Sequence, residues 1–238
     1  MGYKKNILKI VLVLLLSGAL YAFASARNAE RPIQTLKVYF TGDNNLFLTQ
    51  SSVSKLLIQN QGPLTDKAKR IIDLNELEVA LKSNRIIKEA EVFMSVTGEL
   101  IAEIEQKRPI ARMLSENIYV DETGTWMPLS KNYSARVPLV TGQIDTSDLR
   151  PVYRIARWVD QNAFLKEHIT EIHQTSGAEF NLRLRGNDIV VELGDTTELG
   201  TKFNNLKAFY QKAIKDDIIE QYTKLNLRFT SQVICTKK

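Results

Sequence analysis

Cysteine is almost absent from this chain. Cys235 stands alone, so no intrachain disulfide can form and the fold must be held by burial. Cys235 falls at an apolar position of a terminal strand with no histidine nearby, and reads as a small buried hydrophobe. Histidine is nearly as scarce. His168 and His173 lie five residues apart, which puts them on opposite faces of a strand and is a poorer ligand spacing on a helix than three or four. Glycine-rich phosphate loops, hydrolase-type serine motifs and metal-ligand clusters are missing too. Asp121 and Glu122 look like a carboxylate pair, but they precede Thr123-Gly124 in a turn, where Asp commonly stabilises backbone geometry. Glu103 and Glu105 read as the solvated face of a hairpin. The expectation is a non-enzyme, with no catalytic residue, cofactor, metal or small-molecule substrate.

Acidic residues are absent before Arg27, whereas Lys4, Lys5 and Lys9 precede an uncharged run from Ile10 to Ala26. A run of about 17–25 apolar residues can span the hydrocarbon as a helix. The basic flank favours an N-terminus left in the cytoplasm. Two readings compete: an uncleaved anchor, or a secretory signal peptide cut after Ala24-Ser25-Ala26. Both export the remainder, and no cysteine follows the run to carry a lipid. The chain holds 32 basic and 27 acidic residues, and the three early lysines supply much of that excess. The exported part is therefore nearly neutral, which argues against a nucleic-acid partner.

After a linker over 27–34, Leu36, Val38 and Phe40 alternate with polar neighbours as a strand ending at Gly42. Thr49 is placed to cap a helix carrying Val53, Leu56 and Leu57. A second helix begins near Asp73 or Asn75, with Asn75 and Glu78 spaced as a capping box and Leu74, Leu77 and Leu81 on one face. Ala90, Val92, Met94 and Val96, then Thr97-Gly98, then Leu100, Ala102 and Ile104 predict an antiparallel hairpin with one buried face. Strand, helix, helix, strand, strand makes a small α+β module over 35–107.

Pro109 opens a second region, 108–238. Ile118–Val120, a turn at 121–124, then Trp126 and Pro128 read as strand, turn, strand, and Pro138-Leu139-Val140 leads to Gly142. A helix from Leu149, capped by Asp148 or Ser147, buries Val152, Ile155 and Val159. Strands follow near 169–175, 180–184 and 189–193. Asp195 and Glu198 are expected to cap a helix burying Leu199, Phe203, Leu206, Phe209 and Ala213. One closing strand is expected, with Leu225, Leu227, Phe229, Val233 and Cys235 on one face. It is either an open sheet edge that a partner strand could extend, or an internal strand.

The order of these elements resembles the FtsQ/DivIB division proteins. The resemblance rests on Leu36-Lys37-Val38 through Gly42, Ile104-Glu105-Gln106-Lys107-Arg108-Pro109-Ile110-Ala111, Tyr119-Val120-Asp121-Glu122-Thr123-Gly124, Pro138-Leu139-Val140-Thr141-Gly142 and Leu225-Asn226-Leu227-Arg228-Phe229. The stub over 1–9 and the ending after the last strand are similar to Bacteroidetes-type members. The resemblance implies an α+β protein: a transmembrane helix over 10–26, a POTRA-like module, then a mixed β-rich domain with a C-terminal edge strand. It also implies a non-enzymatic scaffold of the inner membrane at the division septum, with its domains in the periplasm. Partners would be FtsB-like and FtsL-like coiled-coil proteins, bound at the edge strand through Arg228, Phe229, Ser231 and Val233, and on the preceding helix through Phe203 and Tyr210. Against it stand a POTRA-bearing factor for outer-membrane protein assembly or secretion, expected to show tandem POTRA repeats or a barrel, and a secreted hydrolase, for which the catalytic residues are missing.

Overall fold

The computed structural model describes residues 2–30, 32–61, 72–95 and 97–238. The chain divides into two compact units, Met1–Gln106 and Lys107–Lys238.

The first unit opens with helix α1, Gly2–Ala29. Within it Lys9–Asn28 is long and apolar enough to cross a membrane, at a mean hydropathy of 1.9. Its leucines are exposed all round, an arrangement that suits lipid and not water. Beyond it, strand β1 (Thr35–Thr41) pairs in parallel with β3 (Glu99–Gln106), which pairs antiparallel with β2 (Ile87–Met94). The expected alternation holds: Ala90, Val92, Leu100, Ala102 and Ile104 are buried. Val96 lies outside the described residues.

Helices α2 (Gln50–Gln61) and α3 (Leu74–Lys82) supply the other half of this core through Val53, Leu57, Leu77 and Leu81. Thr49 caps α2 as expected, its Oγ1 accepting from Ser52 N at 3.2 Å while Ser52 Oγ accepts from Thr49 N at 3.0 Å. The start of α3 differs from the expected capping box. Asp73 is the cap, accepting from Asn75 N and Glu76 N, and Glu78 instead accepts from Val92 N at 2.9 Å. Glu78 thereby occupies a donor on strand β2, a sheet edge, which blunts it as a pairing template.

In the second unit, nine strands form one mixed sheet in the order β12-β11-β10-β9-β8-β7-β4-β5-β6. They are β4 (Pro109–Met113), β5 (Ile118–Asp121), β6 (Trp126–Pro128), β7 (Leu139–Gly142), β8 (Ile169–Gln174), β9 (Phe180–Leu184), β10 (Val190–Gly194), β11 (Tyr222–Asn226) and β12 (Ile234–Lys237). Helices α4 (Arg150–Gln161), α5 (Ala163–His168) and α6 (Leu199–Lys215) pack together and share one core with the sheet. Val152, Ile155 and Val159 of α4 and Leu199, Leu206 and Ala213 of α6 face that core, as their spacing requires. Phe209 is only partly buried, and Tyr210 is buried beside it.

Local structure departs from expectation at four places here. The residue before α4 is Leu149, with no side-chain cap; Asp148, one place earlier, accepts from Arg150 N at 3.1 Å and from the Arg150 guanidinium, which holds its carboxyl down to about 2. Glu198 precedes α6 in a left-handed conformation without a capping bond, and Asp195 pairs with the buried Lys202 at 2.8 Å. Helix α5 was not expected; Asn162 caps it by accepting from Leu165 N. The closing strand is also two strands, β11 and β12, joined by residues 227–233.

The segment from Lys107 to Glu122 explains two of the sequence motifs at once. The carboxylate of Asp121 is wholly buried and accepts from Lys107 Nζ (2.7 Å), Thr123 N (2.9 Å), Thr123 Oγ1 (2.6 Å), Thr125 N (3.0 Å) and Thr125 Oγ1 (2.6 Å). Burial pushes this carboxyl up, but the bonds from Lys107, Thr123 and Thr125 outweigh it and hold the group below its ordinary value. Arg108 binds Asp160 through both terminal nitrogens (2.6 and 2.7 Å) and Glu122 through Nε (3.0 Å).

Replacing Asp121 by Asn should destabilise the chain by about 3 kcal/mol, since Lys107 and the turn lose a charged acceptor. The folded-state value lies below the unfolded one. The stabilisation is therefore complete above about pH 4 and is lost as pH falls through the folded value. Urea titrations should show the gap between wild type and Asp121→Asn closing on acidification; a pH-independent gap would refute this account. Gly142 gives a second check. It has φ +95°, and a Cβ there would lie 2.0 Å from Gln174 O. Gly142→Ala should cost more than about 1 kcal/mol and break the β7–β8 register, which thermal unfolding would reveal.

Candidate functional site at the C-terminal sheet edge

A nine-stranded open sheet has two edges. Strand β6 forms one with three residues ending in Pro128, which has no N–H to offer a partner. Strand β12 forms the other and contains neither proline nor glycine. It pairs antiparallel with β11, Leu225 opposite Cys235 and Asn226 opposite Ile234. Lys238 N donates to Gln221 O at 2.8 Å. Strand alternation then turns the N–H groups of Ile234 and Thr236 toward β11 and leaves those of Cys235 and Lys237 on the open side. The bulge between Tyr222 and Lys224 lies on β11 and does not disturb that alternation.

The turn before β12 presents the apolar surface. Phe229 is 51 % exposed and Ile234 is 43 % exposed. The connection is anchored at two points. Arg228 reaches Glu179 at 2.6 Å, its chain lying where a side chain on Gly194 would sit, and Asn205 of α6 donates to Thr230 O at 2.8 Å. Ser231 is exposed, and Val233 packs half-buried against the core. Cys235 is also half-buried, and burial pushes its thiol up, away from the thiolate form a nucleophile needs.

The structure therefore gathers Arg228, Phe229, Ser231 and Val233 in one place, but in the turn that leads into the edge and not on a strand. The sequence offers no break there, because Thr230-Ser231 replaces the glycine or proline that usually marks a turn. Phe203 and Tyr210 are placed otherwise. They are 3 % and 8 % exposed, Phe203 against Trp158 and Tyr210 against the stacked rings of Phe164 and His168. Both helical periods point inward, so neither offers a surface. Near the edge lie two apolar residues outside the expected binding set: Phe209, expected to be buried but only partly so and edge-on to Tyr222 of β11 at 5.5 Å, and Ile234. Ile234 alternates with Val233 and Cys235, a signal visible once β12 is separated from β11.

The two histidines are apart. His168 Nδ1 meets Phe164 O at the end of α5, and His173 Nδ1 meets Thr141 Oγ1 at 2.8 Å on the sheet. Among the described residues no three His, Cys, Asp or Glu side chains converge as metal ligands.

Comparison with known families places both units. Residues 32–105 match the POTRA-like domain, and residues 108–236 match the family described as FtsQ/DivIB, C-terminal related. No curated protein matches the chain. With a candidate membrane helix, a POTRA-like module and a β-rich domain in that order, the chain belongs to the FtsQ/DivIB family of cell division proteins.

Proposed function

We propose that this chain is a non-enzymatic, bitopic scaffold of the division machinery, acting by binding. Helix α1 stays uncleaved in the inner membrane with the N-terminus in the cytoplasm, and both units work in the periplasm at the septum. There β12 accepts an extended segment of an FtsB-like protein as a further strand, and the FtsL-like partner is recruited with it. The observation that carries this reading is the open side of β12 beside the exposed Phe229 and Ile234. Main-chain bonds to the free edge supply affinity, and the two apolar side chains supply a pocket for alternate residues of the added strand. Arg228, held by Glu179, and the exposed Ser231 flank that surface. Phe209 replaces Phe203 and Tyr210 as the aromatic contribution of α6.

Lys237→Pro removes a donor that faces away from β11 and sets a ring in the path of the incoming strand. The variant should melt like wild type yet bind the FtsB-like partner at least about tenfold more weakly, read by titration calorimetry. Phe229→Glu should abolish capture without unfolding the domain. Normal binding by both variants would remove β12 from consideration. Phe203→Ala should behave in the opposite manner, losing about 3–5 kcal/mol of stability by leaving a core cavity, with binding by the folded fraction unchanged. A fluorescent fusion spread evenly around the cell, or a mature protein beginning at Arg27, would contradict the proposed anchor and septal position.

A further inference from the structure

Helix α4 carries a second face that the sheet-edge reading does not use. Its inward side is Val152, Ile155, Ala156 and Val159. Its outward side runs Arg150, Tyr153, Arg154, Arg157, Trp158 at helical spacing, with no lysine and no acidic residue among them. Arg, Trp and Tyr are the residue types concentrated in binding hot spots, whereas lysine and acidic residues are depleted there. Arginines four apart on a helix repel one another, so this arrangement costs stability in the free protein.

The charges are left available. Arg150 is paired with Asp148 alone. Among the described residues neither Arg154 nor Arg157 forms a close ion pair: Arg154 feels the Asp148 carboxylate only through space, and the Arg157 guanidinium lies 5.9 Å from the centre of the Tyr153 ring and donates to Tyr153 Oη at 3.4 Å. Asp148, just before the helix, is bound by Arg150; Asp160 is engaged by Arg108 and Lys166; and Asp195, in the segment before α6, by Lys202 and Thr197. This surface is concave. A groove of about 630 Å³ runs between α4 and the first turn of α6. Trp158, 42 % exposed, forms one wall, and Gly200 keeps the groove open, since a Cβ there would come within 3.2 Å of the indole.

We infer that the α4 face is a docking site for an acidic helical segment of a protein partner, with carboxylates one turn apart and one apolar side chain seated in the groove against Trp158. Charge complementarity selects the sign of the partner. The planar forks of Arg154 and Arg157 match carboxylates in a bidentate manner, and arginine stacked on tyrosine is already ordered for that contact. A protein segment fits better than a lipid surface because the face is a groove with an aromatic wall, shaped to take an inserted side chain and not to rest on a plane.

The test uses the full chain in nanodiscs of zwitterionic lipid and a dye-labelled synthetic helix with Glu at i, i+4 and i+7 and Leu at i+3. Fluorescence anisotropy should show saturable binding that weakens with salt and falls at least about tenfold in Arg154→Glu/Arg157→Glu. Trp158→Ala, which keeps the charges, should weaken it as well, and circular dichroism should show both variants folded. A lysine version of the helix should not bind. Equal binding by wild type and the charge-reversal variant, or no saturable binding, overturns the inference. Arginine-dependent flotation with phosphatidylglycerol vesicles in place of peptide binding would assign the face to membrane. Arginine-dependent self-association in sedimentation would assign it to a second copy, and either result likewise overturns a protein-helix partner.

Discussion

The second unit depends on a cluster of charges at its start. Arg108 stands at the entrance to the first strand of the sheet and holds Glu122 of the β5–β6 turn and Asp160 at the end of α4 at once. One guanidinium thus fixes where the helix layer lies against the sheet. Asp160 is mostly buried; burial pushes its carboxyl up, yet the bonds from Arg108 and Lys166 hold it below its ordinary value. Beside it, Lys107 and the buried Asp121 close the turn itself. Breaking such a pair leaves a buried charge without compensation, which costs more than making the pair gains. With α4 set in this way, its apolar stripe meets β4 and β8, and α6 packs beside α4 and α5 with Leu199, Leu206 and Ala213 in the same core.

That arrangement leaves the sheet asymmetric in a manner relevant to binding. One edge ends in a three-residue strand with a proline; the other is the unblocked β12. Proteins usually cover or charge such edges because they pair with stray strands. In the first unit Glu78 performs that cover for β2. At β12 the turn is fastened by Arg228–Glu179 and Asn205–Thr230, so the strand is presented in a settled conformation. An ordered edge loses less entropy on pairing than a flexible tail would. The arginine face of α4 belongs to the same unit but to its helix layer, and addresses a different chemistry: carboxylates and an inserted apolar group in place of main-chain bonds.

Much of this was legible in the residues. Period-two alternation placed the β2–β3 hairpin, and period 3.6 placed the buried sides of α3, α4 and α6, because burial of apolar side chains dominates those elements. Caps were read less well. Asp73, one of two candidate starts, caps α3 without an Asn75–Glu78 box, and Glu198 precedes α6 without a capping bond while Asp195 binds Lys202, since several polar residues near a helix start compete and tertiary partners decide among them. The turn between β11 and β12 was invisible for a related reason. Its conformation is held by Glu179 and Asn205, residues 49 and 25 positions from their partners, and not by local turn chemistry.

The sequence alone determined that the chain carries an apolar N-terminal segment, that its fold relies on burial without disulfides, and that two α+β units follow in an order resembling one family. These are properties of composition and period, which any window of residues displays. Only the tertiary structure decided which strand ends the sheet, that Tyr210 points inward and leaves α6 without the expected binding aromatics, that Phe229 and Ile234 flank the open edge, and that three arginines and a tryptophan share a groove. Those facts depend on which side of each element meets the core and which long-range partner takes each charge, and neither is encoded in local spacing.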